Sequence, residues 1–192
     1  MEEPKTNDVL AGAAYLEAAS VIAFEHLAHD LAFHEAPFPL IAAAMRAAED
    51  ERRHTTMVHA LAGGEWPVPN ATRWRSRALV DIAIENAVEG CVGETWGALV
   101  ALAQGRDARS PEVRSTFSAI ASDEIDHAAL AHELDAWIRP LLSAEERRSV
   151  DAAKEAAWAR FAIDIDPEIA RELGIPNGDT SRQMLKALAS AA

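Results

Sequence analysis

The sequence is poor in cysteine and in basic residues. It contains one cysteine, Cys91, and 18 lysines and arginines against 31 aspartates and glutamates. A single cysteine excludes an internal disulfide and a four-cysteine zinc or iron site, fits a reducing compartment, and is expected to be buried and unreactive. The net charge of −13 argues against nucleic acid or an anionic membrane surface as a partner.

Long uncharged apolar runs are absent as well. Charged side chains interrupt every stretch of about 18 residues, the length that a membrane-spanning helix needs. Residues 1–8 are acidic and polar, and they lack the basic start and the apolar core of a secretory signal. We therefore expect a soluble, cytoplasmic protein that does not enter a membrane.

Helix-forming residues dominate the sequence. Its 192 residues are 49% apolar, which is enough for one substantial core. Apolar residues recur at steps of three and four, and no window shows the alternation and β-branched enrichment of a strand. These patterns predict an all-α protein.

Proline and glycine divide the sequence into helices. The breaks fall at Pro37 and Pro39, at Gly63-Gly64, at Gly105 and before Pro140. Predicted helix A covers about 9–34, helix B 40–61, helix C 75 or 78 to 104, helix D 111–138 and helix E 144–163, with short helices after Pro167 and after Thr180 or Ser181. Serine caps at Ser110 and Ser143 open helices D and E.

The lengths of the connectors predict the topology. About five residues join A to B and C to D, which makes each pair antiparallel, whereas roughly 13 to 16 residues separate B from C. Such a connector can run the length of a helix, so residues 1–140 are expected to form a four-helix bundle with a long middle crossover. Residues 141–192 are expected to form a C-terminal helical extension packed on that bundle.

One motif occurs twice, near the middle of two predicted helices. Residues 50–54 in helix B and residues 123–127 in helix D both read Asp-Glu-x-x-His. A glutamate and a histidine three residues apart lie on the same helical face, where both can reach one ion. Chance would place two such pentads in about one chain in a thousand of this composition. The alternative interpretation is a pair of solvated polar faces with incidental histidines.

A two-metal site in a helical bundle needs one further carboxylate from each of the other two helices. Depth below the A–B connector favours Glu17 over Glu25 in helix A. In helix C, Glu89 and Glu94 bracket the depth of Glu124, and Glu85 lies further away. Carboxylates with imidazole suit Fe(II) or Mn(II), and four carboxylates balance the charge of two divalent ions.

This order of residues resembles the ferritin-like di-iron carboxylate superfamily, which includes rubrerythrins and demethoxyubiquinone hydroxylases. The segment 17–24, Glu-Ala-Ala-Ser-Val-Ile-Ala-Phe, is similar to the first ligand segment of bacterial ferritin-like domain proteins. Ala87-Val88-Glu89 with Gly93-Glu94 resembles the third helix of the hydroxylases, whose ligand is the first of those glutamates. The resemblance covers residues 17–127 and implies two iron ions, or manganese, bound by Glu17, Glu51, His54, Glu89, Glu124 and His127, with Glu94 as an extra ligand or a nearby acid.

The resemblance also implies roles for the aspartate of each pentad. In the family, the equivalent aspartates accept the free N–H of the ligand histidine on the partner helix. Asp50 would then orient His127, and Asp123 would orient His54. The alternative is that both are solvated acids or partners of the adjacent arginines. No catalytic residue is expected beyond the metal ligands and these two acids.

The function that follows by resemblance is a non-haem di-iron oxidase or oxygenase. Such an enzyme activates O2 or peroxide at a carboxylate-bridged di-iron centre and oxidises a small-molecule substrate. Because the chain has no four-cysteine electron-transfer module, the electrons are expected from an external donor. Two alternatives remain open: a ferroxidase or iron-handling protein with Fe(II) as substrate, and a metal-free helical interaction module. A homodimer is also left open.

Overall fold

The computed structural model describes residues 5–71 and 73–190, and within these ranges the regular secondary structure is helical, without any strand. The predicted all-α class is confirmed. The helices are α1 (Thr6–Phe33), α2 (Phe38–Ala62), α3 (Leu79–Glu85), a π-helical segment (Asn86–Glu94), α4 (Thr95–Asp107), α5 (Pro111–Ile138), a 3-10 turn (Arg139–Leu141), α6 (Ala144–Ala157), α7 (Pro167–Leu173) and α8 (Gly178–Ala189). None of the helices so described is long and apolar enough to cross a membrane.

Helix starts follow the predicted capping chemistry. The Ser110 hydroxyl accepts hydrogen bonds from the backbone N–H groups of residues 112 and 113 at the start of α5. At the start of α6, Ser143 and Glu146 form a reciprocal capping box, with distances of 2.7 and 3.2 Å. The last helix begins at Gly178 rather than at Thr180 or Ser181, because Asn177 occupies the N-cap position.

Two predicted helices have different bounds in the structure. Predicted helix C, expected as one α-helix, is interrupted by the nine-residue π-helical segment and continues to Asp107. Predicted helix E ends at Ala157 instead of near residue 163. The interruption coincides with Gly90 and Gly93, which have weak intrinsic preference for an α-helix.

The chain divides into two compact units, one ending at Arg77 and the other beginning at Ala78. In the first unit, four residues join α1 to α2, and the two helices pack as an antiparallel hairpin. Both helices bury small side chains, among them Ala14 of α1 and Ala44, Ala47 and Ala48 of α2. The predicted division at residue 140 stays a prediction.

A buried aspartate anchors the crossover that follows α2. Asp30, on α1, is fully buried. Its carboxylate accepts hydrogen bonds from Trp74 Nε1 at 2.9 Å and from Arg77 Nε at 2.8 Å, and Arg77 Nη2 lies 2.7 Å from the same oxygen as Nε. The side chain of His34 contacts the Arg77 carbonyl at 2.8 Å. These contacts, called the Asp30 clamp below, fix the end of the crossover against the last turns of α1.

In the second unit, the C-terminal helices pack on the elements that precede them. Val88 and Val92 of the π-helical segment form an apolar cluster with Ala157 of α6, and Trp158 and Phe161 pack against it. Further along, the backbone N–H of residue 109 donates to the carbonyl of residue 172 at 2.9 Å, which ties the α4–α5 turn to α7. The tail therefore supports the π-helical segment and the turn before α5.

Candidate metal centre

The first unit carries three potential metal ligands in contact. Glu51 and His54 lie on one face of α2 and are 2% and 0% exposed. Glu17 of α1 completes the group, which we call the first triad. His54 Nδ1 is 3.5 Å from Glu17 Oε2 and 3.6 Å from Glu51 Oε2.

The second unit carries an equivalent group, the second triad. Glu124 and His127 of α5 are 7% and 2% exposed. Glu94, the last residue of the π-helical segment, lies beside them. His127 Nδ1 is 3.8 Å from Glu124 Oε2 and 3.9 Å from Glu94 Oε2. Each unit thus pairs one Glu-x-x-His motif with a glutamate from a neighbouring helical element.

The structure places Glu89 away from the second triad. The Glu89 side chain is 58% exposed and lies 3.7 Å from the guanidinium of Arg160. Glu94 occupies the position beside His127 that the family resemblance implied for Glu89. The physical reason is the π-helical turn, whose i→i+5 bonding changes which residues of the helix share a face. The comparison of depths had left Glu94 open, and the resemblance had included it only as an extra ligand or a nearby acid.

In the first unit, the alternative glutamate is also at the surface. Glu25 is nearly half exposed and forms an ion pair with Arg52. Glu17 is mostly buried and faces His54. The structure therefore places Glu17, the glutamate that connector depth favoured, beside His54.

The spacing within each triad fits ligand atoms around one ion. Two atoms that each lie about 2.1 Å from a metal at a tetrahedral angle are separated by about 3.4 Å. The observed separations of 3.5 to 3.9 Å are close to this value and exceed the length of an ordinary N–H···O hydrogen bond. Within each triad, one potential ligand atom from every residue lies within 4.8 Å of the others.

Charge and burial point in the same direction. Two ionised carboxylates with a neutral imidazole carry a charge of −2, which one divalent ion would cancel. Buried carboxylates are costly unless a cation or hydrogen-bond donors compensate them. Each triad could hold a metal ion, with Glu17, Glu51 and His54 as ligands in the first unit and Glu94, Glu124 and His127 as ligands in the second.

The two aspartates of the pentads are partly buried. Asp50 accepts a hydrogen bond from Arg53 Nη1 at 2.8 Å, and a quarter of its side chain is exposed. This contact matches the alternative in which the aspartate pairs with an adjacent arginine. Asp123 is half-buried on α5. Their orienting roles toward the histidines stay predictions.

An apolar groove of about 320 Å³ lies beside the first triad. Val21 and Thr55 line it, and each is four residues, or one helical turn, from Glu17 or Glu51. The Thr55 hydroxyl also donates to the Glu51 carbonyl at 2.8 Å. The remaining wall consists of Ala18 and Ile22 of α1, Arg52 of α2, and Val68, Pro69 and Ala71 of the crossover.

Two residues that closely follow Glu94 in the chain had no sequence signal. A side chain at Gly97 would begin 3.6 Å from Glu124 Oε2, so the glycine leaves space next to that carboxylate. The hydroxyl of Thr95 is buried and has no hydrogen-bond partner in the described part of the chain.

No protein-family model, curated protein or solved structure matches the chain. The relation to the ferritin-like superfamily therefore depends on the residues of the two pentads and of the two neighbouring helices. It stays a prediction.

Proposed function

We propose that the chain is a ferritin-like non-haem di-iron protein that activates O2 or peroxide to oxidise a small organic molecule. The observation that carries the proposal is the repeated triad. Two buried sets of two glutamates and one histidine recur with the same spacing, and His Nδ1 faces both carboxylates in each. Hard oxygen ligands with one imidazole suit Fe(II) and Mn(II) better than softer metals.

In this proposal each triad binds one ion, and the four-helix bundle predicted from the sequence brings the two ions into a pair. When bound, a pair of iron ions supplies the electrons and the Lewis acidity that O2 or peroxide reduction needs. The chain's own residues hold this site. The buried Glu-x-x-His pairs limit contact with bulk water, and the helical spacing of three residues keeps each histidine beside its glutamate.

The groove beside the first triad supports an organic substrate over Fe(II) alone. Its walls are mostly aliphatic, with valine, isoleucine, alanine and proline side chains and a single guanidinium from Arg52. An entry path for Fe(II) is expected to carry carboxylates instead. The space suits a small apolar molecule held within about one helical turn of Glu17 and Glu51. An external donor would return electrons to the iron pair after each reaction, because one cysteine cannot build an iron–sulfur module.

The direct test is iron loading of the purified 192-residue chain. Protein prepared without chelator is loaded with Fe(II) under anaerobic conditions, exposed to O2, and followed by metal analysis, optical absorbance and Mössbauer spectroscopy. We expect about two irons per chain and magnetic coupling between them after oxidation. Failure to bind stoichiometric metal would overturn the proposal and favour a metal-free interaction module.

Matched variants separate ligands from ordinary acids. Glu51→Gln and Glu94→Gln should each lower the iron content, whereas the exposed acids tested by Glu25→Gln and Glu89→Gln should leave it unchanged. Consumption of one O2 per two irons, with growing mineral absorbance and no turnover of any organic molecule, would replace the oxygenase proposal by a ferroxidase.

A further inference from the structure

We propose that Asn86 is a positioning residue for the second triad, acting together with Gly90. Asn86 would hold the π-helical segment against α5 so that Glu94, and not Glu89, lies beside His127. The inference rests on the proposed function, because it takes the second triad to be a metal site. It adds two residues that are not among the proposed ligands.

Asn86 links the π-helical segment to α5 through one buried hydrogen bond. The side chain is 8% exposed, and its Nδ2 donates to the carbonyl oxygen of Ala131 at 2.9 Å. Ala131 follows His127 by four residues, so the bond contacts α5 one turn beyond the imidazole and on the same face. Buried amides are normally hydrogen-bonded, and this bond gives the amide a partner on the element that carries Glu124 and His127.

Gly90 requires the same close approach. A Cβ atom at this position would lie 2.7 Å from Asn86 Oδ1 and 2.9 Å from the Cβ of Ala131. Both distances are shorter than real side chains tolerate. The absence of a side chain at Gly90 and the small side chain at Ala131 therefore allow the π-helical segment to lie directly on α5, where the Asn86 amide reaches the carbonyl.

The position of this contact explains how it could select Glu94. Asn86 is the first residue of the π-helical segment and Glu94 is the last. A π-helical turn contains one more residue than an α-helical turn, so later residues are rotated by about 100° relative to an unbroken α-helix. The hydrogen bond of Asn86 to α5 fixes the orientation of the first residue of the segment, from which the rotation of the later residues is counted. The rotation then decides which acid faces His127.

A merely structural role for Asn86 predicts a different outcome from a positioning role. Loss of a buried hydrogen bond lowers stability wherever it occurs. Loss of the contact that sets the rotation should in addition weaken the metal bound by Glu94, Glu124 and His127. The control is Asn177, whose Nδ2 donates to the Ile165 carbonyl at 2.9 Å in the same unit but far along the chain from the triad.

The experiment is an anaerobic Fe(II) titration of the 192-residue chain and of three variants. Asn86→Leu removes the amide donor at similar volume, Gly90→Ala adds a methyl group at the point of closest approach, and Asn177→Leu is the matched control. Circular dichroism and thermal unfolding are recorded on every sample. We expect Asn86→Leu and Gly90→Ala to weaken one of the two irons by roughly tenfold or more. Asn177→Leu should lose stability while binding both irons as the parent chain does.

Each outcome decides the inference. If Asn86→Leu or Gly90→Ala folds and binds both irons with parental affinity, Asn86 is structural only, and the proposed function stands. If the parent chain binds no iron, the proposed function and the positioning role both fail. If Asn86→Leu does not fold, Gly90→Ala supplies the same test through a different atom.

Discussion

In the Asp30 clamp, the Asp30 carboxylate accepts the hydrogen bonds of Trp74 and Arg77, and replacing Asp30 by alanine removes this acceptor. The carboxylate is fully buried and has three donor atoms around it, Trp74 Nε1 at 2.9 Å, Arg77 Nε at 2.8 Å and Arg77 Nη2 at 2.7 Å. Hydrogen bonds to charged groups contribute about 1.5 to 3 kcal/mol each, and losing one partner of a buried ion pair costs about 3 to 5 kcal/mol.

The lower end of that range applies here. The Arg77 side chain remains 28% exposed, so water can solvate part of the guanidinium once the carboxylate is gone. We therefore expect Asp30→Ala to lower the free energy of unfolding by about 3 kcal/mol. Trp74→Phe, which removes the indole N–H donor to the carboxylate, should cost about 1.5 kcal/mol or more.

Urea unfolding followed by far-UV circular dichroism measures these differences. A double-mutant cycle with Arg77→Met should give a coupling of about 2 kcal/mol between Asp30 and Arg77. The control cycle uses Asp179 and Arg182, an exposed pair 2.7 Å apart on α8, which should couple by less than about 0.5 kcal/mol. A loss below about 1 kcal/mol for Asp30→Ala, or equal coupling in both cycles, would refute the assignment of the clamp as a stabilising ion pair.

Three further predictions concern the thiol, a glycine and the metal. Burial raises the pKa of Cys91 from 9.0 to about 11, so the unfolded chain loses its thiol proton first; stability should fall by about 1.4 kcal/mol per pH unit between pH 9 and 11, and Cys91→Ala should abolish that component. The same thiol should react with iodoacetamide at pH 8 far more slowly in folded than in urea-unfolded protein. Gly174 has a φ of +68°, and a Cβ added there would lie 2.5 Å from the Ala108 nitrogen. Gly174→Ala should therefore destabilise the chain by about 2 kcal/mol or more. Gly12→Ala is the control and should not destabilise the chain, because a Cβ added at Gly12 would have no atom within 4 Å. Iron at 100 times its dissociation constant should stabilise the folded chain by about 2.7 kcal/mol in calorimetry, and Glu51→Gln should reduce that gain.

Short-range sequence signals predicted several helix boundaries and most of the residues in the two triads. Serine caps and proline breaks located α5 and α6 because these signals act within a few residues. The pentads predicted that Glu51 with His54, and Glu124 with His127, would share a face, because spacing along a regular helix fixes direction. Connector depth favoured Glu17 because α1 and α2 are unbroken and antiparallel.

Prediction failed to anticipate features that depend on contacts distant in sequence. The π-helical segment includes a hydrogen bond between residues 45 positions apart and a close approach at Gly90, and neither leaves a periodic signal. Because the sequence did not reveal the π-helical segment, Glu89 and Glu94 could not be ranked by depth. The Asp30 clamp joins residues 44 and 47 positions apart, and a single aspartate on an apolar helix face gave no indication of its partners.

The crossover after α2 lines one side of the groove and is fixed at both of its ends. Gly63 ends α2 with a φ of +66°, and the Asp30 clamp fixes Trp74 and Arg77. Between these anchors, residues 65–71 have no regular secondary structure and supply Val68, Pro69 and Ala71 to the groove. The three lining residues of this segment can therefore be varied separately from the helices. A library randomised at those three positions would reshape the groove while leaving both helices and the glutamates of the first triad in place.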